Sequence, residues 1–266
     1  LSFDNADVNM SCGEALITAC KYGLVDIVKF LFEKNAKYIN DRPFNWACGG
    51  YCVNDKECGQ EDDYLEIVKI LISKGANIHT PYSKQTTWDE RFLSPIGAAI
   101  ATKRNKIAKY LFDLGVDFRQ DNGNPIHEAC DRDNTENFEM FEYIYVNGKY
   151  TIDDPIFNYI FTESAMGGHR QIVEFLVKEG IDVNIDEGEA LDNASWCGEL
   201  EIVVFLLSKG ANPLANNSSA LNTASMTDNI EVVKTLLAAG ADPNLEFGYY
   251  HLPQINGETM TEHTDT

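Results

Sequence analysis

Residues 194–212 read Ala-Ser-Trp-Cys-Gly-Glu-Leu-Glu-Ile-Val-Val-Phe-Leu-Leu-Ser-Lys-Gly-Ala-Asn, and a stretch of the same type returns at residues 224–242. The two stretches begin thirty residues apart, and similar stretches begin at Ala19 and Ala99. The chain therefore repeats the same pattern about every thirty residues. One stretch of this length cannot bury its own apolar face and must pack against its neighbours. The sequence therefore predicts a repeat array whose function lies in its surface.

The small residue that opens each stretch serves as an anchor for the register. The anchors are Ala19, Ala47, Ala99, Ala129, Ser164, Ala194 and Ala224. About sixteen residues after an anchor, Gly or Asn supplies the left-handed conformation that ends a helix. These ending residues are Asn35, Gly115, Gly180, Gly210 and Gly240. Apolar residues between them follow helical spacing, which predicts an all-α fold of paired short helices joined by short extended connections.

Longer intervals between anchors indicate insertions near residues 49–63, which are polar and acidic, and near residues 79–93. Residues 1–9 match the end of a further repeat, so residues 1–244 are predicted to form a partial repeat followed by seven whole ones. Aromatic residues then interrupt the pattern. We expect residues 245–266 to form a cap over the last repeat and a polar tail, and a dimer contact is the alternative.

The chain is strongly acidic, with 21 basic and 42 acidic residues and a formal net charge of −21. Binding to nucleic-acid phosphates needs Lys and Arg, so direct nucleic-acid binding is not expected. The same field attracts a basic protein partner.

Apolar runs fall short of the roughly 18 to 20 residues of a membrane span, and no signal-peptide pattern is visible at Leu1. The seven cysteines are an odd number, and Cys20, Cys48 and Cys130 fall in helix-packing positions, which is typical of a reducing compartment. We therefore predict an intracellular protein without membrane contact.

Several motifs in register resemble those of the ankyrin repeat family over about residues 5–244. The family's Thr-Pro-Leu-His-x-Ala-Ala motif is closest in residues 124–130 and 94–100, its Gly-His turn in Gly168-His169, and its Gly-Ala-Asp-x-Asn segment in residues 240–244. The resemblance implies an ankyrin-repeat solenoid of helix-turn-helix units. The short repeats look like the arrays of large DNA viruses and amoeba-associated bacteria.

The resemblance also implies a concave groove, lined by the residues two and three positions after each anchor. Predicted groove residues are Tyr22, Arg132, Met166, Trp196, Cys197 and Met226. The row Met166, Trp196 and Met226 has the composition of an interface hot spot, although such residues can also be buried between repeats. Asp186 and Glu187 would form a charged rim, and Trp88 and Phe92 would contribute from the second insertion.

Candidate catalytic and metal-binding residues have simpler explanations. His127 and His169 match structural positions of the family, and the spacing of Cys48, Cys52 and Cys58 fits no paired zinc pattern. The opening of a calcium loop at Asp182 lacks the Gly and Glu that such a loop needs. Phosphate-loop, zinc-protease and serine-hydrolase motifs are missing. We predict no catalytic residue, no metal and no cofactor.

The sequence thus predicts a non-enzymatic, monomeric scaffold for protein–protein interaction, encoded by a virus or pathogen and binding a host factor through its groove and inserted loops. Two alternatives stay open. The first is an acidic mimic that blocks a nucleic-acid-binding protein, and the second is the substrate-recruiting part of a larger enzyme.

Overall fold

The computed structural model describes residues 10–38, 40–49, 59–79, 94–119, 124–130 and 137–245. The described residues form fourteen α-helices and no strand, which confirms the all-α prediction. The chain divides into two compact units, Leu1–Gly180 and Ile181–Thr266. We call them the N-terminal and the C-terminal unit.

The helices follow one another in pairs, one pair for each predicted repeat. Those of the N-terminal unit are α1 (Met10–Lys21), α2 (Val25–Glu33), α3 (Arg42–Gly49), α4 (Glu61–Ser73), α5 (Pro95–Ala101), α6 (Asn105–Asp113), α7 (Asn124–Glu128), α8 (Phe138–Asn147), α9 (Ile156–Met166) and α10 (Arg170–Glu179). Those of the C-terminal unit are α11 (Ile185–Cys197), α12 (Leu200–Ser208), α13 (Ala215–Met226) and α14 (Ile230–Ala238).

The first helices of successive repeats pack side by side, and so do the second helices. In the N-terminal unit α1, α3, α5 and α7 form one row, while α2, α4 and α6 form the other. In the C-terminal unit α11 packs on α13, and α12 on α14. Apolar side chains such as Leu191, Ile202 and Leu206 are buried between the two rows. Each contributes about 1.5 to 3 kcal/mol by leaving water.

One backbone hydrogen bond closes the turn between the two helices of a repeat. The N–H of the residue before the second helix donates to the anchor carbonyl five residues earlier, in the pairs Leu24 with Ala19, Arg104 with Ala99, His169 with Ser164, Glu199 with Ala194 and Asn229 with Ala224. In the fourth repeat Asn137 still donates to Ala129, at 3.3 Å, across a longer turn. The anchor register read from the sequence is therefore a repeated structural contact.

The residues predicted to end the second helices do take the left-handed conformation. Asn35, Gly115, Gly180, Gly210 and Gly240 have φ values of 64°, 93°, 107°, 94° and 102°. The fourth repeat differs, because Gly148 is right-handed and Lys149 takes a φ of 53° instead. A Cβ atom on Gly148 would lie 2.7 Å from the Tyr150 ring. Glycine at this position is thus required for packing.

The acidic insertion of the second repeat is partly helical. Glu61, Asp62 and Asp63, assigned to a loop from the sequence, form the first turn of α4. This helix has 13 residues, against 9 in α2 and in α6, so part of the insertion lengthens it. The Gln60 N–H donates to Asp63 at 2.9 Å, and acidic residues are favourable at a helix N-terminus. Residues 50–58 and 80–93 lie outside the described residues.

Candidate functional site

Three of the predicted contact residues, Arg132, Trp88 and Phe92, lie outside the described residues. The other predicted contact residues belong to different compact units. Tyr22 and Met166 are in the N-terminal unit, whereas Trp196, Cys197, Met226, Asp186 and Glu187 are in the C-terminal unit.

In the N-terminal unit, Tyr22 follows the end of α1 and is 36% exposed. The ammonium of Lys21 lies 4.6 Å from the ring centroid of Trp46 and 5.8 Å from that of Tyr22. Met166 ends α9 and is half-buried. Tyr22 is therefore accessible, but a cation already occupies its neighbourhood.

In the C-terminal unit, the predicted contact residues lie along the first helices. Glu189, Asp192 and Trp196 are spaced by three and four residues on α11, which places them on one side of that helix. Glu189 is exposed, and Asp192 and Trp196 are half-buried. Asn222 and Met226 hold the equivalent positions on α13, where Met226 is 59% exposed. We call these five residues the α11–α13 face.

The predicted rim residues Asp186 and Glu187 are exposed at the N-terminal end of α11. The sequence predicted an extended backbone for this connection, and that prediction is wrong here. Asp186, Glu187 and Gly188 have φ values of 50°, 58° and 83°, which belong to the left-handed region. The turn lets the Gly188 N–H donate to the Asn184 carbonyl at 3.2 Å. The next repeat copies it, with φ values of 44°, 56° and 58° at Asn216, Asn217 and Ser218.

An asparagine side chain ties these two turns together. The Asn184 amide oxygen accepts from the Asn212 N–H at 2.7 Å, and the amide nitrogen donates to the Gly210 carbonyl at 3.0 Å. A shallow pocket of 390 Å³ lies against Asn184, Asn212 and Asn216, with Glu187 and Ala215 completing its lining. The rim is therefore a fixed surface at one end of the α11–α13 face.

Asp192 is the residue of the face that sequence reasoning missed. Burial raises its pKa to about 7, the Ser219 hydroxyl that donates to it opposes the rise, and the nearby Glu189 carboxylate adds to it. A register comparison could have found it, because Asp192 stands two residues before the anchor Ala194, as His127 stands before Ala129. An acid thus replaces the family's histidine beside Trp196.

Of the two predicted structural histidines, His127 makes a ring contact, and His169 is buried and bonds through its backbone. The His127 ring stacks on the Tyr159 ring with 5.2 Å between centroids, and the His169 N–H closes a turn on Ser164 at 2.9 Å. Cys48 is fully buried in α3. Within the described ranges, no three His, Cys, Asp or Glu residues are placed to hold a metal ion. Among the same residues, no helix combines the length and apolar character needed to cross a bilayer.

The face as a whole offers an indole, a thioether and several carboxylates on neighbouring helices. Its carboxylates come from Glu189 and Asp192, and the rim adds Asp186 and Glu187. Such a surface can stack on an apolar or cationic side chain and attract positive charge. This chemistry is that of recognition.

Comparison with known proteins supports the same view. A family model described as "Ankyrin repeats (3 copies)" matches residues 136–217, and one described as "Ankyrin repeat" matches residues 216–246. An ankyrin repeat and KH domain-containing protein of Caenorhabditis briggsae is 26% identical over 176 residues, which are 65% of this chain. The match spans only 6% of that relative's length.

Two solved structures share the fold. An ankyrin repeat domain from Acinetobacter baumannii AYE matches with a TM-score of 0.51 and 21% identity, covering 76% of this chain and 100% of that one. The ankyrin repeat domain of Bcl-3, described as a unique member of the IkappaB protein family, matches with a TM-score of 0.50 and 22% identity. It covers 71% of this chain and 85% of that domain.

Proposed function

Since this chain is an ankyrin repeat protein, we propose that it is a non-enzymatic scaffold that binds a protein partner through the α11–α13 face. Ankyrin repeats act in general as protein–protein interaction modules. The observation that carries the proposal is the alignment of Glu189, Asp192 and Trp196 on one side of α11, with Met226 beside them on α13.

Trp196 is the central contact in this proposal. It is half-buried, so part of its side chain already packs against the protein before a partner arrives. A rigid aromatic side chain loses little conformational entropy on binding, and Trp is enriched among residues that dominate interface energy. Met226 is 59% exposed and supplies a flexible apolar neighbour that adapts to the partner's shape.

The charge of the surface defines the partner's chemistry. Asp186, Glu187 and Glu189 are exposed along α11, and Asp192 lies between Glu189 and Trp196. A partner segment with Arg or Lys would neutralise these carboxylates, and an Arg beside Trp196 would gain a cation–π contact. We therefore infer that the partner presents a basic segment to this face.

A second candidate function rests on the net charge of −21. An acidic protein of this size can occupy the nucleic-acid-binding surface of a basic protein through its overall field. The two candidates differ in their response to salt, because long-range attraction is screened whereas an indole contact is not.

Three finer points stay predictions: an origin in a virus or pathogen, a host factor as the partner, and contacts through the inserted loops. The idea of a recruiting part of a larger enzyme also stays a prediction, and the C. briggsae relative is far longer than the matched region.

Quantitative affinity capture from a cell extract tests the proposal, with the full chain and its Trp196→Ala variant at low and high salt. Phe30→Ala, which removes an aromatic side chain that is 53% exposed on α2 of the other compact unit, is the matched control. We expect Trp196→Ala to reduce recovery of the specific partners about tenfold or more and Phe30→Ala to leave it unchanged. Equal recovery by Trp196→Ala would dismiss the α11–α13 face. Recovery that vanishes at high salt for every form would favour the acidic mimic.

A further inference from the structure

Among the residues that the structure describes, nothing covers one side of the helices of the last repeat in the C-terminal unit. Positions about thirty residues apart are equivalent, so the sixth and seventh repeats can be compared directly. Ser195 and Val203 are 0% exposed in the sixth repeat, whereas Ser225 is exposed and Val233 half-buried in the seventh. Likewise, Leu237 is 42% exposed although its equivalent is half-buried.

These differences arise because the seventh repeat covers the sixth, while α13 and α14 are the last helices of the described chain. The uncovered side consists of Ser225, Val233 and Leu237, which we call the end face. Two of its three side chains are aliphatic. An aliphatic surface of this kind favours an apolar cover over water, at about 25 cal/mol for each Å² that it buries.

The end face also presents a backbone carbonyl, that of the residue two positions after the anchor. In two earlier repeats a side chain of the following repeat donates a hydrogen bond to this carbonyl. The Tyr64 hydroxyl donates to the Lys21 carbonyl at 3.0 Å, two residues after the anchor Ala19. At the equivalent place in the sixth repeat, the Asn229 amide donates to the Trp196 carbonyl at 3.4 Å. In the seventh repeat the equivalent carbonyl is that of Met226, two residues after the anchor Ala224. A hydrogen-bond donor from residues further along the chain can occupy the corresponding position.

We propose that residues 247–252 of this same chain cover the end face, with the hydroxyl of Tyr249 or Tyr250 donating to the Met226 carbonyl. The match to the ankyrin family model ends at residue 246, and residues 247–252 are the next apolar stretch along the chain. The segment offers Phe247, Tyr249, Tyr250 and Leu252, and Glu246 joins it to Leu245, which is itself 38% exposed.

Length and charge both suit this occupant. Six residues reach about 20 Å when extended, which exceeds the roughly 13 Å length of the nine-residue helix α14. Residues 247–252 contain no acid, so they approach a strongly acidic protein without like-charge repulsion. Tyrosine combines an apolar ring with a hydroxyl donor, which the end face and the Met226 carbonyl require together.

Hydrogen exchange on the full chain tests the cover. In the tail variant, Phe247, Tyr249, Tyr250 and Leu252 are all changed to Ser. The matched control changes Gln254, Asn256, Thr259 and Thr261 to Ser in the polar part of the same segment. We expect amides of α14 to exchange about tenfold faster in the tail variant and at the wild-type rate in the control.

A second substitution separates a direct contact from a general loss of stability. Leu237→Ser should speed the exchange of α14 in the full chain but add little in the tail variant, because the contact is already lost there. All forms should sediment as monomers. The same exchange rate in the tail variant and the wild type would overturn the proposal, as would a dimer that dissociates on Leu237→Ser. Additive effects of the two changes would also overturn it.

Discussion

The guanidinium carbon of Arg104 lies 3.6 Å from the centroid of the Tyr64 ring. The same guanidinium donates to the Trp46 and Ala47 carbonyls at 3.3 and 2.8 Å. Tyr64 in turn donates its hydroxyl to Lys21, so these two side chains connect the first three repeats of the N-terminal unit. Arg104 is 8% exposed, and this burial lowers its pKa. The guanidinium is the hydrogen-bond donor to both carbonyls.

Replacing Arg104 by Met should therefore destabilise the N-terminal unit by about 2 to 3 kcal/mol, because two carbonyls lose their donor and the stack on Tyr64 is lost. Urea unfolding measures the change. Lys106→Met is the control, since its ion pair with Asp62 is exposed and should matter by less than about 1 kcal/mol. Equal losses in the two variants would contradict a special role for Arg104.

Asp192 should make the stability of the C-terminal unit depend on pH. Its pKa is raised by burial from 3.8 to about 7, so folding favours the protonated carboxyl. The stabilisation is fully present below about pH 4 and is lost as the pH rises through 7. Asp192→Asn removes this loss and should be more stable than the wild type by about 1 to 2 kcal/mol at pH 8.

Urea unfolding at pH 4, 6 and 8 measures the difference between Asp192→Asn and the wild type. The advantage of the variant should shrink toward pH 4, where the wild-type carboxyl is protonated. Asn222→Ala, at the equivalent position on α13, removes no ionisable group and should keep a constant difference from the wild type across the same range. A pH-independent difference for Asp192→Asn would refute the assignment.

Gly198 and Gly210 both have positive φ, 77° and 94°, but differ in their surroundings. A Cβ on Gly198 would lie 2.5 Å from the Asn229 amide oxygen, whereas one on Gly210 would meet no atom of the described part of the chain within 4 Å. Gly210→Ala should cost about 1 kcal/mol for the left-handed backbone alone. Gly198→Ala should cost at least about 1 kcal/mol more, because Asn229 must leave its bond to Trp196.

The free energies of unfolding of both glycine variants decide this prediction. The environment of Trp196 should change only in Gly198→Ala, because only in that variant does the Trp196 carbonyl lose its Asn229 amide donor. Equal costs for the two variants, or a larger cost at Gly210, would show that the Asn229 contact does not constrain the turn.

Ser195 carries a fully buried hydroxyl that has no hydrogen-bond partner among the described residues. Removing it leaves the helix and the packing nearly unchanged, so Ser195→Ala should stabilise the C-terminal unit by about 0.5 to 1 kcal/mol. Ser219→Ala is the contrast, because that buried hydroxyl donates to Asp192. It should destabilise the unit, and thermal unfolding of both variants measures the opposite signs. A loss of stability in Ser195→Ala would contradict the prediction.

Local patterns account for most of the fold. The anchors, the paired helices and the left-handed ends at Gly180 or Gly210 follow from spacing and from glycine's conformational freedom, which act within one repeat. The left-handed conformation of Lys149 could not be predicted from the spacing, because it depends on the packing of Gly148 against Tyr150. The helical part of the acidic insertion was not predicted either, because the cap that Asp63 forms at the helix N-terminus outweighs the loop-like composition of the segment.

Contacts between repeats were harder to predict. Nothing in the sequence pairs Arg104 with Tyr64, or Asp192 with Ser219, because each pair joins residues of different repeats at positions where the repeats of this chain do not all share a residue type. The predicted contacts Trp196 and Met226 are accessible on neighbouring helices, and Tyr22 is accessible in the other unit. Whether a partner uses them depends on surface chemistry, and spacing does not encode that.

The hydrogen bond that closes the turn on its own anchor in six of the seven repeats has a consequence for how such a chain can evolve. The bond joins residues five apart, and in the fourth repeat it persists across a longer turn. A gene segment duplicated or deleted between equivalent anchors would therefore carry complete turns with it and break none. Recombination can change the length of this protein in steps of one repeat, and short insertions can accumulate at the turns while their closure is preserved.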